Sequence, residues 1–359
     1  MPVDPDRLQA VLGAELAQRR SEVVGIDPRL GDSVDLLIGF VMRGGKRLRP
    51  EFLWCGWLAA GGSDDDTSET DAIYRVGAAL ELIQACALIH DDVIDRSDSR
   101  RGRPSTHRAV AKVHADAGLT GDAEHYGVSA AILLGDLALA WADDLVTEGA
   151  LALGAVDRAL PVWRAMRTEV LSGQLLDLLV TASTTTDPAQ QEVDALRINR
   201  YKTAAYTVER PLQLGAALAD GTAATIAALR SYGADVGIAF QIRDDLLGVY
   251  GDPAVTGKPA GDDLVEGKRT LLLATARETL TGELLAELDA GIGAPGADVD
   301  RLAGIIAGSG APEVMEQRIG DLVVLGMSAL VGSDGTPMIG EGAHARLTEL
   351  ARLATARRF

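Results

Sequence analysis

Cysteine, positive charge and long apolar runs are all scarce in this sequence of 359 residues. The two cysteines, Cys55 and Cys86, lie in apolar helical patterns, which argues against a disulfide-stapled secreted fold. Lysine and arginine total 34 against 52 acidic residues, a net charge of −18 that is unlike a nucleic-acid-binding protein. No apolar run indicates a membrane span, and the first residues lack the features of a signal peptide. We therefore expect a cytoplasmic protein with no nucleic-acid partner and no transmembrane segment.

The residues that are abundant indicate helices. Hydrophobic residues make up 47% of the chain although aromatic residues are only 4%, a composition that suits a folded core. Apolar side chains recur every three or four residues, whereas no βαβ alternation or long linker is found. This period predicts helices within 129–153, 161–182, 196–219, 222–250 and 341–357. The sequence predicts an all-α helical bundle that forms a single domain over residues 1–359.

One predicted helix ends in a cluster of aspartates. Asp91 continues the apolar face of that helix, Asp92 follows it, and Asp95 stands one turn later. Aspartate has low helix propensity, and negative charge at a helix C-terminus opposes the helix dipole. A second pair, Asp244 and Asp245, stands late in another long helix. Two acidic helix ends could face each other across a groove only with divalent cations, and ligands that are all oxygens indicate Mg²⁺.

The basic residues are few, yet several of them stand close to these aspartates in the sequence. Arginine binds phosphate oxygens through a two-pronged fork, and lysine supplies a point charge. Together with carboxylates and an apolar helix face, such cations indicate a substrate with a diphosphate head and a hydrocarbon tail. The candidates are Lys46, Arg47, Arg49, Arg100, Arg101, Arg103, Lys202, Lys258 and Lys268.

From about residue 44 to residue 270, these motifs resemble those of the trans-isoprenyl diphosphate synthases, the polyprenyl synthetase family, and most resemble bacterial geranylgeranyl diphosphate synthases. The resemblance implies an all-α isoprenoid-synthase fold with a central apolar cavity, a homodimer and three Mg²⁺ ions per active site. It implies metal ligands at Asp91, Asp95 and Asp244, with Asp92, Asp245 and Lys202 as further catalytic residues. The implied contacts to isopentenyl diphosphate are Lys46, Arg49, Gln84 and Arg101. The implied contacts to the allylic diphosphate are Arg100, Lys202, Thr203, Gln241, Lys258 and Lys268.

The reaction that this resemblance implies is ionisation, condensation and elimination. The allylic diphosphate ionises, the isopentenyl double bond attacks the cation, and a proton leaves. Fixed cations stabilise the charge that develops on the leaving diphosphate, and a dry apolar channel protects the carbocation from water.

Two positions depart from the family pattern. Gln84 stands where many members have histidine, and it can donate a hydrogen bond but cannot carry charge. Gly248 stands where an aspartate often ends the second motif. Asp252 could replace that carboxylate only if the helix continued past Gly251, which the glycine disfavours.

The length of the product depends on how far the apolar channel extends beyond Asp91. Ala87 and Cys86, four and five residues earlier, are small, where short-product members of the family place aromatic residues. Trp141 on the next predicted helix is a candidate for the channel floor, although it could equally be core packing. We predict a geranylgeranyl product, with a farnesyl or a longer polyprenyl product as alternatives.

Two functions of other kinds stay open. A class I terpene cyclase shares the fold and the first motif, but it has a different second metal motif and lacks the pair Lys46 and Arg49. A non-catalytic regulatory subunit of a prenyl synthase typically loses aspartates, whereas all five are present here. Incubation with Mg²⁺ and both diphosphates would distinguish an elongated product, a cyclised hydrocarbon and no product.

Overall fold

Helices form nearly all of the part of the chain that the computed structural model describes, which is residues 2–65, 67–100, 102–183, 187–252, 260–333 and 335–355. The α-helices are α1 (Pro5–Ile26), α2 (Gly31–Met42), α3 (Leu48–Ala59), α4 (Thr67–Ile94), α5 (Thr106–Asp116), α6 (Ala123–Ala152), α7 (Val156–Thr181), α8 (Pro188–Ile198), α9 (Arg210–Leu218), α10 (Ala223–Tyr250), α11 (Asp262–Glu266), α12 (Leu271–Thr279), α13 (Gly282–Gly291), α14 (Val299–Gly308), α15 (Ala311–Ser328) and α16 (Glu341–Thr355). A 3₁₀ turn (Pro28–Leu30), a π-helix (Asn199–Glu209) and two short antiparallel strands, β1 (Ser99–Arg100) and β2 (Arg103–Pro104), complete the described elements. The predicted all-α class is confirmed.

Most of the predicted helical stretches correspond to single helices. The stretches 129–153, 161–182, 222–250 and 341–357 fall on α6, α7, α10 and α16, although residues 356–357 of the last stretch lie outside the described residues. The capping residues explain two of the helix starts, because Asp122 accepts hydrogen bonds from the first turn of α6 and Thr222 does so for α10.

The apolar residues form three clusters, which the long helices connect. The largest cluster joins α1 to α7, and α4 runs beside α6 in its centre. α10 joins the other two clusters, because its first half packs with α3, α9 and α16 while its second half packs with α12, α14 and α15. By length and composition α4 could cross a membrane, which the sequence analysis did not expect, but 78% of the qualifying window is buried. It is therefore a core helix of this fold.

The predicted helix over 196–219 is divided into three segments. α8 ends at Ile198, the next eleven residues form the π-helix, and α9 follows from Arg210. Two glycines let neighbouring helices approach the π-helix closely. A Cβ atom at Gly173 of α7 would lie 2.4 Å from the backbone nitrogen of Lys202, and one at Gly237 of α10 would lie 2.7 Å from the Cα of Ala204. The π-helix is thus packed between α7 and α10, which fixes the position of Lys202.

Candidate active site

Both predicted acidic helix ends open onto one cavity of about 460 Å³, here called the polar cavity. It lies where the ends of α4 and α10 meet α7, α11 and the π-helix. Most of its lining side chains are charged or polar. They are Lys46, Asp91, Arg100, Asp177, Asn199, Lys202, Thr203, Gln241, Asp244, Asp245, Asp262, Asp263, Lys268, Arg269 and Thr270. The structure therefore brings most of the predicted site residues together although they are far apart in the sequence.

A second cavity, of about 420 Å³, continues from the first and is here called the apolar cavity. The two cavities share Asp91, Lys202, Thr203, Gln241 and Asp244. The remaining wall is largely apolar and includes Ile83, Cys86, Ala87, Leu88, Ile94, Leu139, Val170, Leu171, Leu175, Leu178 and Phe240. The polar cavity thus opens directly into the apolar cavity.

Of the three residues predicted to control product length, two line the apolar cavity. Ala87 and Cys86 lie in its wall, and burial raises the pKa of the Cys86 thiol to about 12. Trp141 is buried in the largest apolar cluster and is not among the described residues that line either cavity. Leu139, two residues earlier on α6, lines the apolar cavity instead. The structure therefore does not place Trp141 at the channel floor.

The aspartates of the first motif are surrounded by cations. Arg100 donates from Nε to Oδ1 of Asp92 at 2.7 Å and from Nη2 to Oδ2 of Asp91 at 3.3 Å. The Nζ of Lys202 lies 3.5 Å from Oδ1 of Asp91. Asp92 is fully buried, so its carboxylate holds Arg100 in place from inside the fold, whereas Asp91 faces both cavities. Burial opposes charge on Arg100 and Lys202, yet the neighbouring carboxylates raise the pKa of both.

Two residues of α7 belong to this network and were not identified from the sequence. Gln174 donates from Nε2 to Oδ1 of Asp91 at 3.1 Å. Asp177 accepts from the Nζ of Lys202 at 2.6 Å. The signal was a glycine in the middle of a long helix, Gly173, followed by two polar residues three positions apart. A glycine there indicates close approach of another backbone, which is that of Lys202.

Asp95 and Lys268 connect the first motif to α11. The Nζ of Lys268 lies 3.6 Å from Oδ2 of Asp95 and 2.5 Å from Oε2 of Glu266. Burial raises the pKa of Asp95 to about 6, and the nearby charge of Asp91 adds to that effect. The Oδ2 atom of Asp95 is buried and makes no hydrogen bond within the described part of the chain.

The second motif lies among other carboxylates. Asp245 is 5% exposed and accepts a hydrogen bond from Nε2 of Gln241 at 2.6 Å. Burial, reinforced by the charges of Asp263 and Asp244, raises the pKa of Asp245 to about 8. Burial among these carboxylates therefore favours the protonated form of its carboxyl group.

The space beside Gly248 is filled by a carboxylate from another helix. A Cβ atom on Gly248 would lie only 2.0 Å from Oδ2 of Asp263, which comes from α11. α10 ends at Tyr250, and Asp252 beyond it is exposed, so Asp252 does not replace the missing aspartate. Asp263, which the sequence analysis did not identify, stands where a side chain at position 248 would be.

In the basic cluster at residues 46–49, Arg47 has a structural role, whereas Lys46 and Arg49 line the two cavities. Arg47 pairs with buried Glu81, so its charge is directed into the fold. Arg49 lines the apolar cavity, where Nη2 donates to Oγ1 of Thr207 at 2.8 Å and the guanidinium stacks 4.2 Å from the ring centroid of Tyr206. The Tyr206 hydroxyl donates to Oε1 of Gln84 at 2.9 Å.

The third basic residue of this cluster, Lys46, lines the polar cavity. Two predicted residues, Arg101 and Lys258, lie outside the described residues.

The donor set around the polar cavity suits Mg²⁺ that is held partly by a substrate. Among the described residues, no three acidic, histidine or cysteine side chains converge closely enough to hold an ion by themselves. Mg²⁺ normally binds through one or two carboxylates together with waters and substrate phosphates. The buried Oδ2 of Asp95, which makes no hydrogen bond among the described residues, and the oxygen-rich lining fit a cation of that kind.

Comparison with known proteins agrees with this site. Residues 34–307 match the sequence model of the polyprenyl synthetase family. The chain is 33% identical over 302 residues to the geranylgeranyl diphosphate synthase of Mycobacterium tuberculosis, which covers 82% of this chain and 77% of that protein. It is 35% identical over 281 residues to the geranylfarnesyl diphosphate synthase of Aeropyrum pernix, covering 77% and 80%. The structure of a Corynebacterium glutamicum geranylgeranyl pyrophosphate synthase complexed with isoprenyl diphosphate and magnesium matches with a TM-score of 0.90 and 44% identity, over 99% of this chain and 100% of that one. The chain belongs to the polyprenyl synthetase family.

Proposed function

We propose that this protein is a Mg²⁺-dependent prenyltransferase. It condenses isopentenyl diphosphate with an allylic diphosphate (dimethylallyl, geranyl or farnesyl) and forms all-trans geranylgeranyl diphosphate and pyrophosphate. One observation carries the proposal, which is that the polar cavity and the apolar cavity share Asp91, Lys202 and Asp244 at their junction. A substrate there would have its diphosphate among charges and its hydrocarbon tail among leucines.

The allylic diphosphate is assigned to the polar cavity. Asp91, Asp95 and Asp244 would hold three Mg²⁺ ions, which when bound neutralise the diphosphate and polarise it as a leaving group. Lys202 and Lys268 pair with carboxylates in the absence of substrate, and they are placed to transfer those contacts to phosphate oxygens. Arg100, Thr203, Gln241 and Lys258 complete the proposed set. These fixed charges stabilise the negative charge that develops as the allylic bond breaks.

Isopentenyl diphosphate is assigned to the side of Lys46, Arg49, Gln84 and Arg101. The stacking of Arg49 on Tyr206 and its bond to Thr207 hold the guanidinium in one orientation before substrate arrives. The hydrogen bond that Oε1 of Gln84 accepts from Tyr206 orients the amide, whose Nε2 is its donor to phosphate. A neutral donor at this position makes isopentenyl binding independent of histidine titration.

The apolar cavity is assigned to the growing hydrocarbon chain. Its wall excludes water from the allylic cation, which would otherwise be hydrolysed. The small residues Ala87 and Cys86 leave room beside α4 for more than a short tail. Similarity to a geranylgeranyl and to a geranylfarnesyl diphosphate synthase supports a product of medium length, and we favour the twenty-carbon one.

The proposed assembly is a cytoplasmic homodimer. Leu171, Leu175 and Leu179 form an exposed stripe on α7, and Leu133 of α6 is also exposed. Exposed leucines at helical spacing form an apolar face of the kind that protein partners cover. The first two also adjoin or line the apolar cavity, so a second copy packed on this face would shield the cavity from water.

The proposal is tested by incubating the full-length protein with Mg²⁺, isopentenyl diphosphate and each allylic primer in turn. The products are dephosphorylated and their lengths determined by chromatography with mass detection. We expect geranylgeraniol, and no product when a chelator removes Mg²⁺. A cyclised hydrocarbon, or no product with any primer, would contradict the proposal, and the second result would favour a regulatory subunit.

A further inference from the structure

Far from the charged residues that the apolar cavity shares with the polar cavity, one end of an ion pair lies in its wall. Arg167 of α7 lines that cavity beside Val170 and Leu171. Its Nη1 pairs with Oδ2 of Asp143 on α6. Trp163, one turn earlier on α7, donates from Nε1 to the other oxygen of Asp143 at 2.7 Å, and its ring centroid lies 5.8 Å from the guanidinium. Charge in a hydrocarbon-binding wall requires an explanation.

Arg167 lies at the deep end of the cavity. Gln174 bonds to Asp91 and marks the mouth on α7, and Arg167 stands seven residues before it. At about 1.5 Å per residue this is a depth of about 10.5 Å along the helix. On the facing helix α4, Ile83 stands eight residues before Asp91 and also lines the cavity. Arg167 and Ile83 therefore lie at similar depth, and neither helix contributes a deeper described lining residue.

A hydrocarbon chain cannot advance past such a pair without a penalty. The Nε of Arg167 is buried and finds no acceptor among the described residues, so the guanidinium is already incompletely bonded. The side chains of Arg167 and Asp143 keep 30% and 38% of their surface exposed. A longer tail would cover the part of Arg167 that lines the cavity and remove water from the guanidinium without offering any hydrogen bond in return. An apolar side chain of the same size would impose no such desolvation.

We propose that the Arg167–Asp143 ion pair is the stop of the apolar cavity and sets the upper limit of product length. This rests on the proposed chain elongation. The stop works by the charge of the pair as well as by its volume. Trp163 is a positioning residue in this arrangement, since it touches Asp143 rather than the substrate.

The experiment compares Arg167→Ala and Arg167→Met with the wild type. Methionine keeps much of the length of arginine but removes its charge. The double variant Arg167→Ala/Asp143→Ala removes both charges, so that no unpaired carboxylate is left to disturb folding. Arg164→Ala is the matched control, because this arginine lies one turn earlier on the same helix and is exposed. Trp141→Ala tests the residue that the sequence indicated.

Product length is the first readout. We expect all three Arg167 variants to raise the share of products longer than the wild-type product by about ten-fold, the factor that one unbonded buried polar group is worth. Arg164→Ala and Trp141→Ala should leave the product unchanged. Unchanged products in both Arg167→Met and the double variant would overturn the proposal, as would longer products from Trp141→Ala alone.

Binding is the second readout and does not depend on turnover. Isothermal titration calorimetry can follow titration with geranylgeranyl diphosphate and with geranylfarnesyl diphosphate in the presence of Mg²⁺. The wild type should prefer the shorter ligand by about ten-fold, and the double variant should lose this preference. If the protein elongates nothing but this preference is found and is lost in the variant, the proposed function fails and the stop is supported. If it elongates normally and the preference is absent, the stop is overturned.

Discussion

The two acidic helix ends have the same paired aspartates but opposite electrical surroundings. At the end of α4, Asp91 lies within 3.5 Å of Lys202 and Arg100. At the end of α10, Asp245 is buried beside Asp263 and Asp244, and the pKa of its carboxyl group is raised to about 8. Cations pair with the first two aspartates, whereas burial among carboxylates favours a protonated Asp245. The same pair of aspartates can thus stand in two different electrostatic environments at one cation site.

The largest expected effect comes from removing one carboxylate from either helix end. Asp91→Ala and Asp244→Ala should each lower turnover by about a thousand-fold or more, because charge on the leaving diphosphate then lacks an organised counter-charge. Steady-state assays at several Mg²⁺ concentrations measure this loss. Asp98→Ala serves as the control, since that carboxylate is 80% exposed and pairs with Arg108. Near-normal turnover of either variant at limiting Mg²⁺ would remove that helix end from the metal site.

The second largest effect concerns how the protonation of Asp245 makes stability depend on pH. A carboxyl group whose pKa rises from 3.8 to about 8 on folding stabilises the folded state at low pH, and this contribution is lost as the pH rises from about 4 through 8. We therefore expect the wild type, studied with a chelator, to lose about 2 kcal/mol or more relative to Asp245→Asn between pH 5 and pH 8. Urea unfolding at both pH values measures the difference. An equal difference at both pH values would show that Asp245 is ionised in the folded protein.

The smallest effect tests how α11 completes the second motif. Gly248→Ala places a Cβ atom against Asp263 and should destabilise the protein by about 1 kcal/mol, because the atom displaced is only the end of a side chain. Gly248→Ala should have no such effect in an Asp263→Ala background, so the two substitutions should be strongly non-additive. If the effects of the two substitutions on the free energy of unfolding were additive, Asp263 would not be in contact with position 248.

An activity assay tests the same two positions. Gly248→Asp combined with Asp263→Ala moves the carboxylate from α11 to position 248, where members of the family often have an aspartate. We expect this double variant to keep more turnover than Asp263→Ala alone.

Helical periodicity and short acidic motifs were sufficient to predict the fold class and the two ends that meet at the polar cavity. Asp91 and Asp244 could be found because aspartate is unusual late in a helix, whereas the role of Lys202 was implied by the resemblance to the family. Asp177 and Asp263 could not, since each is an ordinary polar residue until another segment of the chain brings Lys202 or Gly248 beside it. Contacts of this kind depend on tertiary packing, which local patterns do not contain.

Trp141 illustrates the reverse limitation. An indole on a small-residue helix indicates a large side chain next to a groove, but periodicity alone does not say which side of the helix faces the groove. α6 directs Trp141 into the core, whereas Leu139 lines the apolar cavity. A difference of two residues along a helix is a rotation of about 200°, enough to exchange the cavity for the core.

The π-helix adds a consequence that concerns angles. Each hydrogen bond in a π-helix spans five residues instead of four, so the chain turns through a smaller angle at every residue. Lys202, Thr203, Tyr206 and Thr207 all line the apolar cavity, although an α-helix would spread them over a wider arc. One widened turn therefore gathers an ammonium, two hydroxyls and an aromatic ring onto a single narrow strip. The catalytic wall gains a density of polar groups that a regular helix of the same length could not present.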